Sequence, residues 1–342
     1  MNEDKTIEQV IGNFFSPIPN TPLEEDRYTI IRNGIVTNQF ARMRGKNRDK
    51  VYEDTSANVG VFTYEDLTVT FTNVNDLASQ QTSTGMLFDA LIIKLTEQGL
   101  TDGNIQKPLP EYMQERGIKD EKAAREQVHK DLEILYNASI SWKEKSRGKI
   151  AKNYEDVRII DRKGIKNSVI NVHFTQYFLD ILKSYAVMPF PKTIFQINAN
   201  RYPNAYALWR KITELKNANA GNSTADIISV KTLLSAAALP SFEEVQKAHG
   251  SYKQKIIEPF ERDMDANADA YTWEYCHKKG APLTQEELDN FTYDVFIGLN
   301  VRIFWKQYPD QTKLIEDKKR KAKNAKRRLA YKKKKEDGSA AE

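Results

Sequence analysis

The chain has 342 residues, enough for two domains of ordinary size, and its 40% hydrophobic and 10% aromatic content suits packed cores rather than disorder. One cysteine, Cys276, excludes an intrachain disulfide and fits a reducing compartment, the cytoplasm. The net charge of +5 is uneven: residues 313–342 hold 13 Lys/Arg and 5 Asp/Glu, a balance of +8, which leaves the remainder at −3.

In chain order, MNEDKTIEQVIGNFF opens acidic and lacks the apolar core of a secretory signal. No apolar run approaches the ~20 residues of a membrane span; Met86–Leu95 is interrupted by Asp89 and Lys94. Residues 1–58 read as an irregular lead-in, with the prolines of Phe14–Pro22 barring a helix there. Arg42, Arg44, Lys46, Arg48 and Lys50 fall on every second position, as a solvated loop or an extended arm would place them.

A first folded unit is expected over residues 59–198. Val61–Thr72 reads as one or two strands, and Ser83–Gln98 as an amphipathic helix with Leu87, Leu91 and Leu95 on one face, ended by Gly99. Leu109–Arg116 is a short helix with Pro110 near its start and Gly117 behind it. Asp120 caps a longer helix, Glu121–Tyr136, whose apolar face is Ala124, Val128, Leu132 and Leu135. Ile140–Lys143, Val157–Asp161 and Ser168–Phe174 read as strands, Lys143–Asn153 as a flexible basic loop, Arg162-Lys163-Gly164 as a turn and Tyr177–Lys183 as a closing helix.

Phe195–Asn204 links this unit to a second, expected over residues 199–312. Ala205–Lys216 is a helix with Leu208, Ile212 and Leu215 inward; Ser229 caps a short helix through Ala238; Phe242–Ala248 forms a further turn or two. Ser251 caps Tyr252–Ala266, where Pro259 removes a backbone donor and predicts a kink. Tyr271–Cys276 and Asp294–Trp305 alternate as strands, joined by Lys278–Tyr293. Helix, short helix, longer helix and β-hairpin, in that order, is the winged-helix sequence of elements, and it occurs twice without evident sequence identity. The fold expected is therefore α+β: two tandem winged-helix domains with a disordered or helical basic C-terminal tail over residues 313–342.

Two stretches carry a resemblance. YKQKIIEPFERDMDANADAYTWEY (Tyr252–Tyr275) joins a basic helix with an internal proline to a strand of alternating aromatics, and EYMQERGIKDEKAAREQVHKDLEILYNASISW (Glu111–Trp142) is the second. With PNAYALWRKI (Pro203–Ile212) and ISVKTLL (Ile228–Leu234), they make residues 60–308 similar to plasmid and mobile-element replication initiators of the iteron-binding type, which have tandem winged helices. The linker Lys278–Tyr293, with Glu286, Glu287 and Asp289, departs from a compact basic wing. The resemblance implies a sequence-specific protein that binds double-stranded origin repeats and recruits host replication proteins, with the replicative helicase or its loader as a candidate partner and a homodimer as a candidate assembly. The alternative is a winged-helix repressor of a mobile element, built from the same modules.

The residues themselves suit such contacts. On Glu121–Tyr136, Lys122, Arg125, Glu126 and His129 lie toward the side opposite the apolar face, Gln127 is a candidate base reader, and Lys119 sits just before the helix. Lys and Arg suit phosphates and guanine edges, and Gln suits adenine, although a charged helix face is also simply well solvated. In the second unit Lys253, Gln254, Lys255 and Arg262 take the corresponding places. The basic loop containing Arg147 and Lys149 stands where a first wing belongs, and equally fits a solvated loop. The tail offers salt-sensitive phosphate neutralisation, a solubilising end, or both.

Catalysis is not expected. There is no GxxxxGK[ST] phosphate loop, and the four histidines, His129, His173, His249 and His277, lack the close spacing of a metal site. No metal or other cofactor is implied.

Overall fold

The computed structural model describes residues 27–40, 59–64, 67–72, 82–146, 149–150 and 157–309. The expected tail and much of the lead-in, with their basic clusters, lie outside these residues. The elements in order are β1 (Tyr28–Asn33), α1 (Ile35–Phe40), β2 (Val59–Tyr64), β3 (Leu67–Thr72), α2 (Thr82–Glu97), β4 (Asn104–Pro108), α3 (Leu109–Arg116) and α4 (Glu121–Asn137). Then come β5 (Ser139–Ser146), β6 (Lys149–Ile150), β7 (Val157–Arg158), β8 (Ile160–Lys166), β9 (Val169–Phe174), α5 (Gln176–Ser184) and β10 (Ala186–Pro191). A 3-10 turn at Lys192–Gln196 leads to α6 (Ala205–Ala218), β11 (Ile227–Ser229), α7 (Val230–Leu234) and α8 (Phe242–Lys247). A π-turn at Lys253–Ile257 runs into α9 (Glu258–Met264), followed by β12 (Tyr271–Cys276), α10 (Gln285–Asp289), α11 (Tyr293–Gly298) and β13 (Asn300–Trp305). The protein is thus a mixed helix-and-sheet molecule with small antiparallel sheets.

One wiring plan is used twice. In the first unit α2 is followed by the short strand β4, then α3 and α4 and, after β5, β6 and β7, the hairpin β8–β9, and β4 pairs with the last strand to give the order β4-β9-β8. In the second, α6 is followed by β11, then α7, α8, the π-turn and α9, then β12 and β13, and the order is β11-β13-β12. The buried apolar residues of both units form one continuous cluster, from Leu87 and Leu132 through Phe178 and Trp209 to Phe260 and Val301. Burial of this kind is worth about 1.5–3 kcal/mol for each large side chain.

Local signals account for many boundaries. Asp120 accepts the Ala123 backbone N–H at the start of α4, Gly117 closes α3 in the left-handed conformation at φ 63°, and Ser229 and Ser241 cap α7 and α8. Ala124, Val128, Leu132 and Leu135 are the buried stripe of α4, as their spacing requires.

Several expectations are corrected. The lead-in over residues 1–58 contains a strand and a helix, because β1 pairs along its length with β10 and is closed into the core by Ile31 and Val36. Helix α2 is not amphipathic: Lys94 and Glu97 are its unburied side chains, since β1, α4 and α6 all pack against it. Arg162-Lys163-Gly164 is strand, not turn; the hairpin reverses at Asn167 and Ser168, which carry φ of 50° and 55°. Residues 143–146 and 149–150 are strands rather than a loop, because β5 pairs with β3 and joins a separate sheet, β2-β3-β5-β6. Residues 293–298 are helical, capped by Thr292, and only Asn300–Trp305 is strand. Helix α7 stops at Leu234, short of Ala238.

Candidate nucleic-acid interface

One helical segment of each unit, α4 (the third of the first unit) and π-turn–α9 (the fourth of the second), is held by a buried carboxylate that ties it to the start of the unit's first helix. On α4, Asp131 Oδ1 accepts from Thr84 (2.6 Å), Ser83 (3.1 Å) and Gln127 (3.1 Å), Thr84 and Ser83 lying in the opening turn of α2. On α9, Asp263 Oδ2 accepts from the backbone and side-chain amides of Asn204, the residue before α6, at 2.9 Å each. A carboxylate at a helix N-terminus satisfies open donors and complements the helix dipole. Burial pushes the Asp131 carboxyl upward against the lowering effect of its three donors, and among the described residues its Oδ2 has no hydrogen-bond partner.

The first face is built on α4. Lys119 and Lys122 are exposed at its entry. Arg125 is engaged: it donates to Glu121 (2.8 Å) and to Ser168 Oγ (3.0 Å), clamping the β8–β9 turn onto the helix. Gln127 is likewise engaged, its side-chain amide nitrogen donating to Ser83 Oγ (3.0 Å) and Asp131 Oδ1 (3.1 Å). His129 is 70% exposed, with Glu133 at 3.9 Å. Glu133 also takes Lys163, whose ammonium lies 5.2 Å from the Tyr136 ring. Lys130 and Lys166 are exposed on the same helix and at the hairpin tip. Sequence reading passed over both; Lys166 becomes visible once Asn167-Ser168 is recognised as a two-residue turn.

The second face is built on the π-turn. Lys253, Gln254 and Lys255 are exposed, while Ile256, Ile257, Phe260 and Met264 are buried. Pro259 explains the π geometry. Its ring would collide with the Lys255 carbonyl in a regular helix and it has no N–H to give, so the chain widens and Glu258 N–H bonds back to Lys253. Arg262 is engaged, its guanidinium lying on Asp263 Oδ1 at 2.8 Å. Lys231 on α7 and Lys247 on α8 are further exposed cations of this unit.

The segment between β12 and β13 is a folded element. Tyr293 stacks on Phe242 at 4.2 Å with rings 14° apart, Tyr252 meets Tyr293 at 6.0 Å, and Phe291 meets Tyr275 at 5.5 Å. Its outer surface is acidic: Glu286 and Asp289 are exposed, and Glu287, whose carboxyl is held below its ordinary value by the Thr284 backbone amide and by His277, lies 3.1 Å from that histidine. Of the expected first-wing residues, Lys149 sits on β6 and Arg147 lies outside the described residues.

The structure therefore brings Lys119 and Lys122 together on one face and Lys253, Gln254 and Lys255 on another, leaves His129 exposed beside the first, and assigns Arg125, Gln127 and Arg262 to internal bonding. Among the described residues no helix is long and apolar enough to cross a membrane.

No family model matches the chain, and no curated protein matches it. Two solved structures of RctB, a Vibrio chromosome II replication initiator, are similar to it. Domains 2 and 3 of RctB as the selenomethionine derivative match at 10% identity and a TM-score of 0.43, over 79% of this chain and 98% of that one. RctB domains 2–3 match at 10% identity and 0.41, over 77% and 97%. No residue role in this chain rests on that likeness.

Proposed function

We propose that both units are winged helices and that the chain is a sequence-specific DNA-binding replication initiator of a plasmid or other mobile element. The observation that carries the reading is the repeated wiring: twice, a short strand pairs with the last strand of the sheet, and twice a helical segment braced to the unit's first helix presents exposed lysines. A segment so placed enters the major groove with its first turns, while the preceding helix spans the backbone. Lys119, Lys122, Lys253 and Lys255 take phosphates or guanine edges, and Gln254 has the chemistry to pair with an adenine. The tail, with its balance of +8, adds sequence-independent affinity. The resemblance of residues 60–308 to iteron-binding initiators favours origin repeats as the target and host replication proteins, the helicase or its loader among them, as partners. The protein acts by binding rather than by catalysis, in the cytoplasm.

The test is footprinting of the purified chain on DNA flanking its gene, alongside replication of a reporter plasmid carrying that DNA. Protection of short repeats and replication dependent on the protein are expected. Protection at a promoter with no support of replication would make it a repressor, and uniform protection with no preferred sequence would refute the reading.

A further inference from the structure

The two units meet through a fully buried ion pair. Asp89 of α2 and Arg210 of α6 are both 0% exposed. The guanidinium donates Nε and Nη2 to the two carboxylate oxygens at 2.8 Å each, a forked contact that sets rotation as well as distance. Its Nη1 donates to Asn38 Oδ1 of α1 at 2.6 Å, so a third element is held by the same group. Tyr206 of α6 reaches Asp89 and lies 2.9 Å from the Gly85 carbonyl, and Thr82 donates to the Pro203 carbonyl at 3.1 Å. Contacts at 82 with 203, 85 with 206 and 89 with 210 run α2 and α6 side by side in the same direction. Burial raises the Asp89 carboxyl and the Arg210 charge opposes that; for Arg210, burial lowers the guanidinium but the Asp89 charge leaves it raised.

Each of these first helices is also the brace for the segment that carries its unit's basic face, through Asp131 with Ser83 and Thr84, and through Asp263 with Asn204. Polar contacts therefore tie α4 to α2, α2 to α6 through Asp89–Arg210, and α6 to α9. Apolar contacts alone would let α2 slide or turn against α6 at little cost, because they are non-directional; the fork does not.

We infer that Asp89 and Arg210 are positioning residues for DNA recognition: their forked pair fixes the offset between the two basic helical faces, and so sets the separation of the two half-elements the protein accepts. This rests on the reading of both units as DNA readers.

The test begins with selection of duplexes from a random library by the full-length wild-type chain. One or two base pairs are then inserted between the selected half-elements. Each base pair shifts one half by about 3.4 Å and a tenth of a turn. For the wild type, one inserted pair should lower affinity about tenfold, the scale of a mismatched position. Two variants are compared: Asp89→Leu/Arg210→Met, which removes both charges, and Arg210→Lys, which keeps the charge without the fork. Both should still bind each half-element while the insertion penalty drops to about twofold. On the free protein, spin labels at Lys122→Cys and Lys253→Cys should give a narrow distance distribution that broadens in either variant. A folded variant that keeps the tenfold penalty and the narrow distribution would overturn the inference, because loss of stability alone does not change a spacing preference. A wild-type selection that returns only one half-element would instead overturn the two-reader reading itself, before any variant is compared.

Discussion

The two units solve one mechanical problem with different chemistry. The first holds its third helix with a regular cap at Asp120 and a two-residue hairpin clamped by Arg125 to Ser168. The second uses a π-turn in front of Pro259, and replaces the tight hairpin with a folded acidic element seated on Phe242 and Tyr252. Their buried carboxylates differ as well: Asp131 is met by hydroxyls and an amide, whereas Asp263 is met by Arg262 and Asn204. What is shared is the wiring and the brace to the first helix. Topology and the positions of a few buried polar groups thus persist where surface residues, turn type and helix geometry do not.

The harshest way to break the comparison is to separate the units. Arg210→Met alone leaves Asp89 as an uncompensated buried charge, and about 3–5 kcal/mol should be lost in chemical denaturation. Asp89→Leu/Arg210→Met should recover most of that loss, since a well-packed apolar replacement of a buried pair is often close to neutral. A single variant as stable as wild type would mean the junction tolerates the stranded charge.

The surface comes next. Alanine at Lys119, Lys122, Lys253 and Lys255 together should weaken DNA binding at least tenfold and reduce the salt slope by about 0.9 for each phosphate that is no longer neutralised. Thermal melting should stay nearly unchanged, because exposed substitutions move stability by about 0.5 kcal/mol or less. Arg125→Ala and Arg262→Ala sharpen the contrast. Their guanidiniums are engaged within the fold, so stability should fall more than affinity. Undiminished binding by the quadruple variant would remove the two faces from the interface.

How far this was legible in the sequence follows from the range of the interactions concerned. Asp120, Gly117, Ser229 and the Pro259 distortion are local, and each was readable because a cap or a missing N–H acts within one turn. The faces carrying Lys119, Lys122, Lys253, Gln254 and Lys255 followed from helical spacing. The engagement of Arg125, Gln127 and Arg262 was not readable, because Ser168, Ser83 and Asp263 become their partners through tertiary packing or rotamer choice. Strand β1 was missed for the same reason: its partner β10 lies about 160 residues away. Asp89 reads in the sequence as an interruption of an apolar run, and only the arrival of Arg210 from the other unit turns it into a core residue.

A gentler perturbation targets the π-turn. Pro259→Ala restores the missing donor and removes the clash, so the segment should relax toward a regular helix with a stability change of about 1 kcal/mol. Helical residues are ~100° apart around the axis, so Lys253 and Lys255 would rotate and affinity should fall while helical circular dichroism rises. Unchanged affinity would show that their orientation is not set by the π-turn.

The smallest effect concerns pH. Burial raises the Asp131 carboxyl, so its contribution to stability is present in full below the ordinary carboxylate pKa of ~4 and lost as pH rises through the raised value. Asp131→Asn keeps an oxygen for Thr84 and Ser83 and cannot ionise. Its melting temperature should match wild type in acid and equal or exceed it at neutral pH. A variant less stable at neutral pH than in acid by the wild-type margin would show that Asp131 is not the source.

The central claim is that the chain reads DNA with two separate faces at once, and footprinting of paired variants on one selected duplex tests it most directly. Lys119→Ala/Lys122→Ala should lose protection over one half of the site and keep the other, and Lys253→Ala/Lys255→Ala should show the opposite pattern. If both variants lose protection evenly over the whole site, or neither loses any, the two faces do not act as separate readers and the account is wrong.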